Sequence, residues 1–130
     1  MKINVIILNN NEFEPKEIEN DLKTLQNLVG GFIEIPYICD ELGKHNIDII
    51  INEEGKLIDG LRPEIVIVNS ETNEVVDLIF GTCIFASTDE EGNTIGLTND
   101  QIEVLYKIFK TDMVLAPRAQ NRIMVKAIMI

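Results

Sequence analysis

The apolar residues between positions 18 and 29 recur at the spacing of an α-helix. From the first of them they fall at i, i+4, i+7, i+10 and i+11, which places all five on one face; they are Ile18, Leu22, Leu25, Leu28 and Val29. Glu14-Pro15 suits the start of a helix, because proline is tolerated in the first turn and carboxylates there complement the helix dipole. The pattern predicts a first helix over residues 16–29.

Gly30 and Gly31 are expected to end this helix, because the residue after the last helical turn often needs a positive φ angle. The next residues, Phe32–Ile38, are mainly β-branched or aromatic and predict a strand. Pro36 lies inside it and removes one backbone donor, which favours an edge position or a bulge. The result is a helix-to-strand corner from which the rest of the fold is built.

Short apolar runs separated by polar turns fill the remaining chain. They predict further strands over residues 2–8, 47–52, 65–69, 75–87 and 123–130, and Gly81 is expected to mark a bulge or close backbone approach within its run. Thr98 and Gln101 have the spacing of a capping box and predict a second helix over residues 99–110. We expect an α+β fold in a single domain, residues 1–130, with two main helices and a mostly antiparallel sheet of five to six strands.

Charge divides the chain unevenly. Residues 1–106 contain six Lys or Arg and 21 Asp or Glu, a balance of −15, within a total net charge of −11. Residues 107–130 contain five Lys or Arg and only Asp112, a balance of +4. A strongly acidic protein is repelled by nucleic acid and by anionic membranes, so we expect neither direct DNA or RNA binding nor membrane association.

The N-terminal run and the two cysteines indicate the compartment and the redox state. The apolar N-terminal run is short and is followed by polar residues without a cleavage site, which is not the pattern of a signal peptide. Cys39 and Cys83 lack the spacing of a disulfide framework or a metal site and are expected to be small buried hydrophobes. We expect a cytoplasmic protein, in the host-cell cytoplasm if viral, and predict no metal or cofactor.

Four short segments between residues 25 and 102 carry a distinctive pattern. They are Leu25-Gln26-x-Leu28-Val29-Gly30-Gly31-Phe32-Ile33-Glu34, Asn52-Glu53-Glu54-Gly55-Lys56-Leu57, Phe80-Gly81-Thr82 and Gly96-Leu97-Thr98-x-Asp100-Gln101-Ile102. Together they resemble a family of small proteins of unassigned function, common in bacteriophages and mobile elements of Gram-positive bacteria. The resemblance implies that context and an α+β fold, without catalytic residues to transfer. Leu61-Arg62-Pro63-Glu64 stands where the family usually has a Pro-x-Asn-Arg-like element.

Candidate catalytic groups are sparse. The only histidine, His45, lies in a polar segment without a nearby nucleophile in sequence. The carboxylate runs Glu53-Glu54 and Asp89-Glu90-Glu91 adjoin glycine turns, where solvated charge is common. The sequence contains no nucleotide-binding loop, dinucleotide fingerprint or metal-ligand spacing. We therefore predict a protein that is not an enzyme.

The basic C-terminal segment offers a possible ligand site. Guanidinium groups bind phosphates bidentately, asparagine amides read ring edges, and an exposed aromatic ring stacks on a base. The candidate ligand-binding residues are Arg118, Arg122, Asn93, Phe85, Asn121 and Lys110. The alternative is that these cations only pair with the acidic part of the protein, within one chain or between chains.

Two functional hypotheses remain open. The first is a phage counter-defence protein, or sponge, that sequesters a nucleotide-derived immune signal without cleaving it. Such signals include the cyclic ADP-ribose type of Thoeris systems and cyclic oligonucleotides, and a homo-oligomer with the pocket at its subunit boundary would suit them. The second is an acidic protein–protein interaction module that imitates nucleic acid or inhibits a host enzyme.

Overall fold

The computed structural model describes residues 1–118 and 121–130, which form two β-sheets and three α-helices. The elements are β1 (Lys2–Asn9), β2 (Glu12–Glu19), α1 (Leu22–Val29), β3 (Ile33–Glu34), α2 (Asp40–Lys44), β4 (Ile47–Asn52), β5 (Pro63–Val68), β6 (Val75–Phe80), β7 (Cys83–Thr88), β8 (Thr94–Ile95), α3 (Asn99–Ile108), β9 (Thr111–Arg118) and β10 (Asn121–Met129). The first sheet has the order β2-β1-β7-β4-β3, with β8 also paired to β7. The second sheet has the order β6-β5-β10-β9.

The architecture confirms the predicted α+β class and its mostly antiparallel pairing. Among the described strands, β5 and β10 form the one parallel pair. The two longer helices, α1 and α3, correspond to the two that the sequence predicts. The first sheet has six strands, which agrees with the expected five to six, and a second sheet of four strands is added to it.

The main apolar core contains residues from both sheets. Phe85, Ile49 and Leu8 belong to the first sheet, and Ile65 and Ile128 to the second, all at 1% exposure or less. The same core contains an aromatic group, in which the rings of Phe13, Phe85 and Phe109 lie at centroid distances of 5.6–6.0 Å from one another. Such tilted and edge-on contacts are favourable for aromatic rings.

The first helix begins later than the sequence pattern predicts. Residues 12–19 are the edge strand β2, because Asn10 and Asn11 both adopt positive φ angles and form a two-residue hairpin turn after β1. Pro15 is compatible with an edge strand, which has backbone positions that need no partner. The helix starts only after Asp21, whose carboxylate accepts a hydrogen bond of 2.7 Å from the Thr24 backbone N–H.

The predicted glycine corner is confirmed, but the strand after it is shorter. Gly30 has a φ angle of 83° and donates its N–H to the carbonyl of Gln26 at 2.8 Å, which ends α1. Of the predicted strand Phe32–Ile38, only Ile33 and Glu34 pair with β4, at the edge of the first sheet. The backbone from Ile35 to Cys39 leaves the sheet, and Pro36 lacks the donor that continued pairing would use.

Three further predictions have clear outcomes. The run 75–87 is not one strand: Gly81, at a φ angle of 84°, separates β6 from β7, and these strands belong to different sheets. The capping box at Thr98 and Gln101 is confirmed, with hydrogen bonds of 3.1 and 2.8 Å. The C-terminal run pairs within the chain as β10, and both cysteines are buried as expected.

A buried carboxylate joins the two sheets. Glu64, at the start of β5, has no exposed surface and accepts hydrogen bonds of 2.8 and 2.9 Å from the backbone N–H groups of Asn10 and Asn11. The Nε atom of Arg62 lies 3.5 Å from the same carboxylate. Glu64 thus holds the β1–β2 hairpin of the first sheet against β5 of the second. Together with burial itself, its charge raises the pKa of the Cys83 thiol.

Replacing Glu64 with alanine is expected to lower the free energy of unfolding by about 3 kcal/mol, because two hydrogen bonds to a charged acceptor are lost. Glu64→Gln keeps an acceptor oxygen and should lose less. Urea unfolding of the wild type and both variants measures the effect. Glu71→Ala, an exposed loop position, is the control and should change stability by less than about 0.5 kcal/mol. Equal stability of Glu64→Ala and Glu71→Ala would contradict a joining role.

Candidate functional site

A cleft of about 540 Å³ opens between the edges of the two sheets. One wall is β6, and the other is the segment around β3 together with the end of β4 and the turn that follows it. We call it the edge cleft; its lining residues are Glu34, Pro36, Tyr37, Ile38, Ile51, Asn52, Glu53, Glu54, Gly55, Lys56, Leu57, Ile67, Val76, Asp77, Leu78, Ile79, Phe80 and Ile130. Its volume lies in the range of ordinary ligand sites.

A second cleft of about 570 Å³ adjoins the first beside the end of α1. We call it the corner cleft; its lining residues are Gln26, Asn27, Gly30, Gly31, Phe32, Asn52, Glu53, Glu54 and Ile58. The two clefts share Asn52, Glu53 and Glu54. The segment after β4 therefore forms the ridge between them and presents its carboxylates to both.

Asn52 fixes the position of this ridge. Its side chain is 5% exposed, donates from Nδ2 to the carbonyl of Val29 at 3.2 Å, and accepts at Oδ1 from the Glu54 N–H at 2.8 Å. The Glu53 N–H also donates to the carbonyl of Phe32 at 3.0 Å. One buried amide thereby ties the end of α1 to the carboxylate-bearing turn, and asparagine is suited to this because it donates and accepts at once.

Two glycines allow the close contacts around the ridge. A Cβ atom on Gly31 would lie 2.9 Å from Nδ2 of Asn52, and one on Gly55 would lie 2.8 Å from the backbone oxygen of Phe80. Such distances are too short for a real Cβ atom, so the missing side chains are what bring the helix corner and β6 up to the ridge. These glycines therefore shape the clefts.

Negative charge dominates the edge cleft. Its lining includes the carboxylates of Glu34, Glu53, Glu54 and Asp77 and the single ammonium group of Lys56, which forms an ion pair with Asp77. The hydrogen bond from Lys56 holds the pKa of Asp77 below its usual value, and the Leu78 N–H, which donates to Asp77 at 2.8 Å, acts in the same direction. With its one cation already paired, the cleft favours cationic groups over anions.

Exposed apolar side chains gather at the same place. Phe32, Tyr37 and Leu57 are 69%, 73% and 80% exposed and line one cleft or the other, as do the exposed Ile58, Val76 and Ile130. Isolated exposed apolar residues are ordinary, but a group of them around a concave surface is typical of an interaction site. The clefts therefore combine carboxylates with apolar contact area.

The candidate ligand residues from the C-terminal segment lie elsewhere. Arg118 and Asn121 are paired positions of the β9–β10 hairpin, and the exposed Arg122 follows directly. The side chains of Arg118 and Asn121 are outside the described part of the molecule. Lys110 is exposed between α3 and β9. The backbone thus brings three of the six positions to one hairpin end.

The other two candidates are not at that hairpin. Phe85 is completely buried in the main core, so its ring is not accessible for stacking on a base. Asn93 lies in the turn before β8, where its side-chain amide and backbone N–H both donate to Asp89. The ligand-binding role of this set stays a prediction, and none of its side chains that the structure describes lines the edge cleft or the corner cleft.

Side chains that could ligate a metal do not cluster in the described residues. These contain no group of three or more His, Cys, Asp or Glu side chains arranged to hold a metal ion. None of their helices has the length and apolar content to cross a bilayer. The geometry of the clefts supports binding by shape, charge and apolar contact.

The model of a protein family, the domain of unknown function DUF3846, matches residues 1–110. The chain belongs to this family. Comparison with curated proteins and with solved structures gives no significant match. The resemblance to a family of unassigned function is thus confirmed at that level, and the DUF3846 region includes both sides of each cleft except for Ile130.

The sequence signal for the clefts was present in the segments that carry the resemblance. The motif over residues 25–34 supplies the helix corner, the motif over residues 52–57 supplies the ridge, and Phe80 ends the wall formed by β6. Each motif is separate in sequence, and only the sheet topology brings them together. The charges and residue spacings along the sequence do not indicate that these motifs form one site.

Replacing Gly55 with alanine is expected to lower the free energy of unfolding of this DUF3846 protein by about 1–3 kcal/mol, because the new Cβ atom meets the backbone of Phe80. Gly43→Ala is the matched control: its nearest contact would be 3.7 Å from Tyr37, and alanine favours its helix, α2, so stability should be unchanged or higher. Thermal or urea unfolding compares them. A neutral Gly55→Ala variant would show that the contact with β6 does not shape the cleft.

Proposed function

We propose that this protein is a non-catalytic interaction module that binds a basic, partly apolar surface of another protein in the edge and corner clefts. The observation that carries the proposal is the convergence of exposed apolar side chains and carboxylates on one concave surface. Of the two hypotheses from the sequence, this is the one that the geometry supports better. Mimicry of nucleic acid or inhibition of a host enzyme would both use such a surface.

Electrostatics supports a cationic partner. Glu53 and Glu54 are exposed on the ridge between the clefts, and Glu34 is exposed on the same wall of the edge cleft, opposite β6. Charges of one sign along a cleft speed the encounter with an oppositely charged partner and disfavour partners of like charge. An anionic nucleotide would meet these carboxylates directly, whereas a lysine- or arginine-bearing surface would neutralise them.

Apolar contact supports a protein partner over a small cation. Phe32 and Tyr37 provide large exposed rings near the carboxylates, and aromatic residues are enriched where protein interfaces gain most of their binding energy. A simple inorganic cation would leave these rings in water. The surface therefore suits a partner that brings both positive charge and apolar area. In a mobile-element context, that partner would be a protein of the bacterial host.

The proposal is tested by capture on the immobilised protein from a bacterial lysate, followed by identification and direct titration of the captured protein. Glu53→Gln with Glu54→Gln should weaken binding at least about tenfold, because two charge contacts at the ridge are lost. Binding should also fall steeply with added salt.

The control is Glu90→Gln with Glu91→Gln, which changes the charge equally in the exposed turn between β7 and β8. This pair should bind the purified partner like the wild type. If the two double variants bind equally well, or lose binding equally, the clefts are not the binding surface and the proposal fails.

Sequestering of a nucleotide-derived immune signal is the second candidate function. It is favoured by one observation: Arg118, Asn121 and Arg122 come together at one hairpin end of a segment with a balance of +4. In a homo-oligomer, such ends from several chains would form the phosphate-binding part of a shared pocket. Guanidinium groups suit phosphates through paired hydrogen bonds.

Native mass spectrometry of protein purified from cells that produce immune nucleotides tests this candidate. The expected result is an oligomer that retains the nucleotide and releases it unmodified on heating, with retention lost in Arg118→Ala with Arg122→Ala. Lys2→Ala with Lys16→Ala, two exposed cations of the first sheet, should retain it. Absence of bound nucleotide removes the candidate, and a cleaved product would indicate an enzyme.

A further inference from the structure

The lining of the edge cleft follows the backbone of β6. Five consecutive residues of this strand, Val76–Phe80, line the cleft. Side chains alternate between the two faces of a sheet, so a cavity on one face would contact every second residue. Contact with every residue in turn means that the cleft runs along the edge of the strand, where its backbone donors and acceptors lie.

The edge of β6 lacks the proline and the dense charge of the edge strand β2, and its pairing with β5 shifts register between Ile67 and Val68. β2 contains Pro15 and five charged residues among its eight, features that discourage pairing with another strand. β6 has the sequence Val-Val-Asp-Leu-Ile-Phe, with one charged residue, and pairs only with β5 in the described residues. Val75 and Val76 are half exposed there. The second sheet therefore ends in an apolar edge with an open cleft beside it.

The Asp77 carboxylate serves as a hydrogen-bond acceptor at this edge. The Leu78 N–H donates to the Asp77 carboxylate at 2.8 Å instead of to a neighbouring strand, and Lys56 holds that carboxylate in an ion pair. A carbonyl from an added strand would take the place of this carboxylate oxygen. The released carboxylate would then join Glu34, Glu53 and Glu54 in facing the added chain.

We infer that β6 accepts an extended, cationic segment of the partner protein as an additional strand of the second sheet. The inference rests on the proposed function and specifies how the partner binds. Main-chain hydrogen bonds to β6 supply pairing, and lysine or arginine side chains on the added strand contact the carboxylates of the opposite wall. Apolar side chains on its other face continue the apolar surface of Val75 and Val76.

Charge selects the occupant. A second copy of β6 would bring another Asp77 into a cleft that already contains four carboxylates, and like charges oppose that pairing. An extended segment with alternating cationic and apolar residues avoids this repulsion. Its cationic residues match the carboxylates of the cleft, and its apolar residues match the exposed apolar side chains of β6, at the two-residue period that a strand requires.

The probe is a nine-residue peptide of alternating lysine and valine, titrated into the full-length protein. Binding should slow hydrogen exchange at the amides of β6, the Leu78 amide above all, while the edge strand β2 is unchanged. Methylation of three consecutive central backbone nitrogens of the peptide removes donors on both edges without altering charge. It should weaken binding about tenfold or more, since at least one to two hydrogen bonds are lost.

A peptide methylated only on its terminal residue is the matched control and should bind like the parent, and a peptide of alternating glutamate and valine should not bind. If the centrally methylated peptide binds as tightly as the parent, strand addition is wrong, although charge-based binding in the cleft stands. If a folded partner binds through Glu53 and Glu54 but the lysine–valine peptide does not, the inference of strand addition fails while the proposed function stands. Protection of β6 in a dimer without peptide would also overturn it.

Discussion

The apolar layer between the two sheets is the constraint on which the rest of the structure depends. Phe85, Ile49 and Leu8 from one sheet and Ile65 and Ile128 from the other must be removed from water together, which fixes how the sheets face each other. Facing sheets still have edges. Where β3 and β6 end their respective sheets, no described strand bridges them, and the edge cleft results. The candidate site is thus a consequence of sandwich packing and not an insertion into it.

Local patterns predicted the elements that are stabilised by local interactions. The strand 47–52, the glycine corner and the Thr98 capping box agree with expectation because alternation, positive φ and reciprocal capping act within a few residues. Residues 12–19 were mispredicted because Glu14-Pro15 suggested a helix start, whereas Asn10-Asn11 formed a hairpin and placed Pro15 on an edge. The choice between these signals depends on β1 being available as a partner, which is not a local property.

The site was less predictable than the fold for the same reason. Asn52 is an ordinary turn residue in sequence, and its contact with Val29 requires the end of α1 to lie beside β4. Phe85 is expected to stack on a base if its ring is exposed, yet the separation of β6 from β7 at Gly81 places that ring in the core. Glu64 is one of 22 acidic residues in the sequence, and its burial requires the β1–β2 hairpin to lie beside β5. Each of these outcomes depends on long-range pairing.

The position of β10 has a consequence for biosynthesis. The last strand of the chain lies inside the second sheet, between β5 and β9, and it lies beyond the region that matches DUF3846. During translation, β5 emerges more than fifty residues before β10 and β6 more than forty residues before it, so the parallel partner of β5 is missing until β10 has been synthesised. Closure of the second sheet must therefore wait until β10 has left the ribosome. Until then the nascent chain exposes the valines of β5, and a chaperone-like contact or rapid completion would shield them.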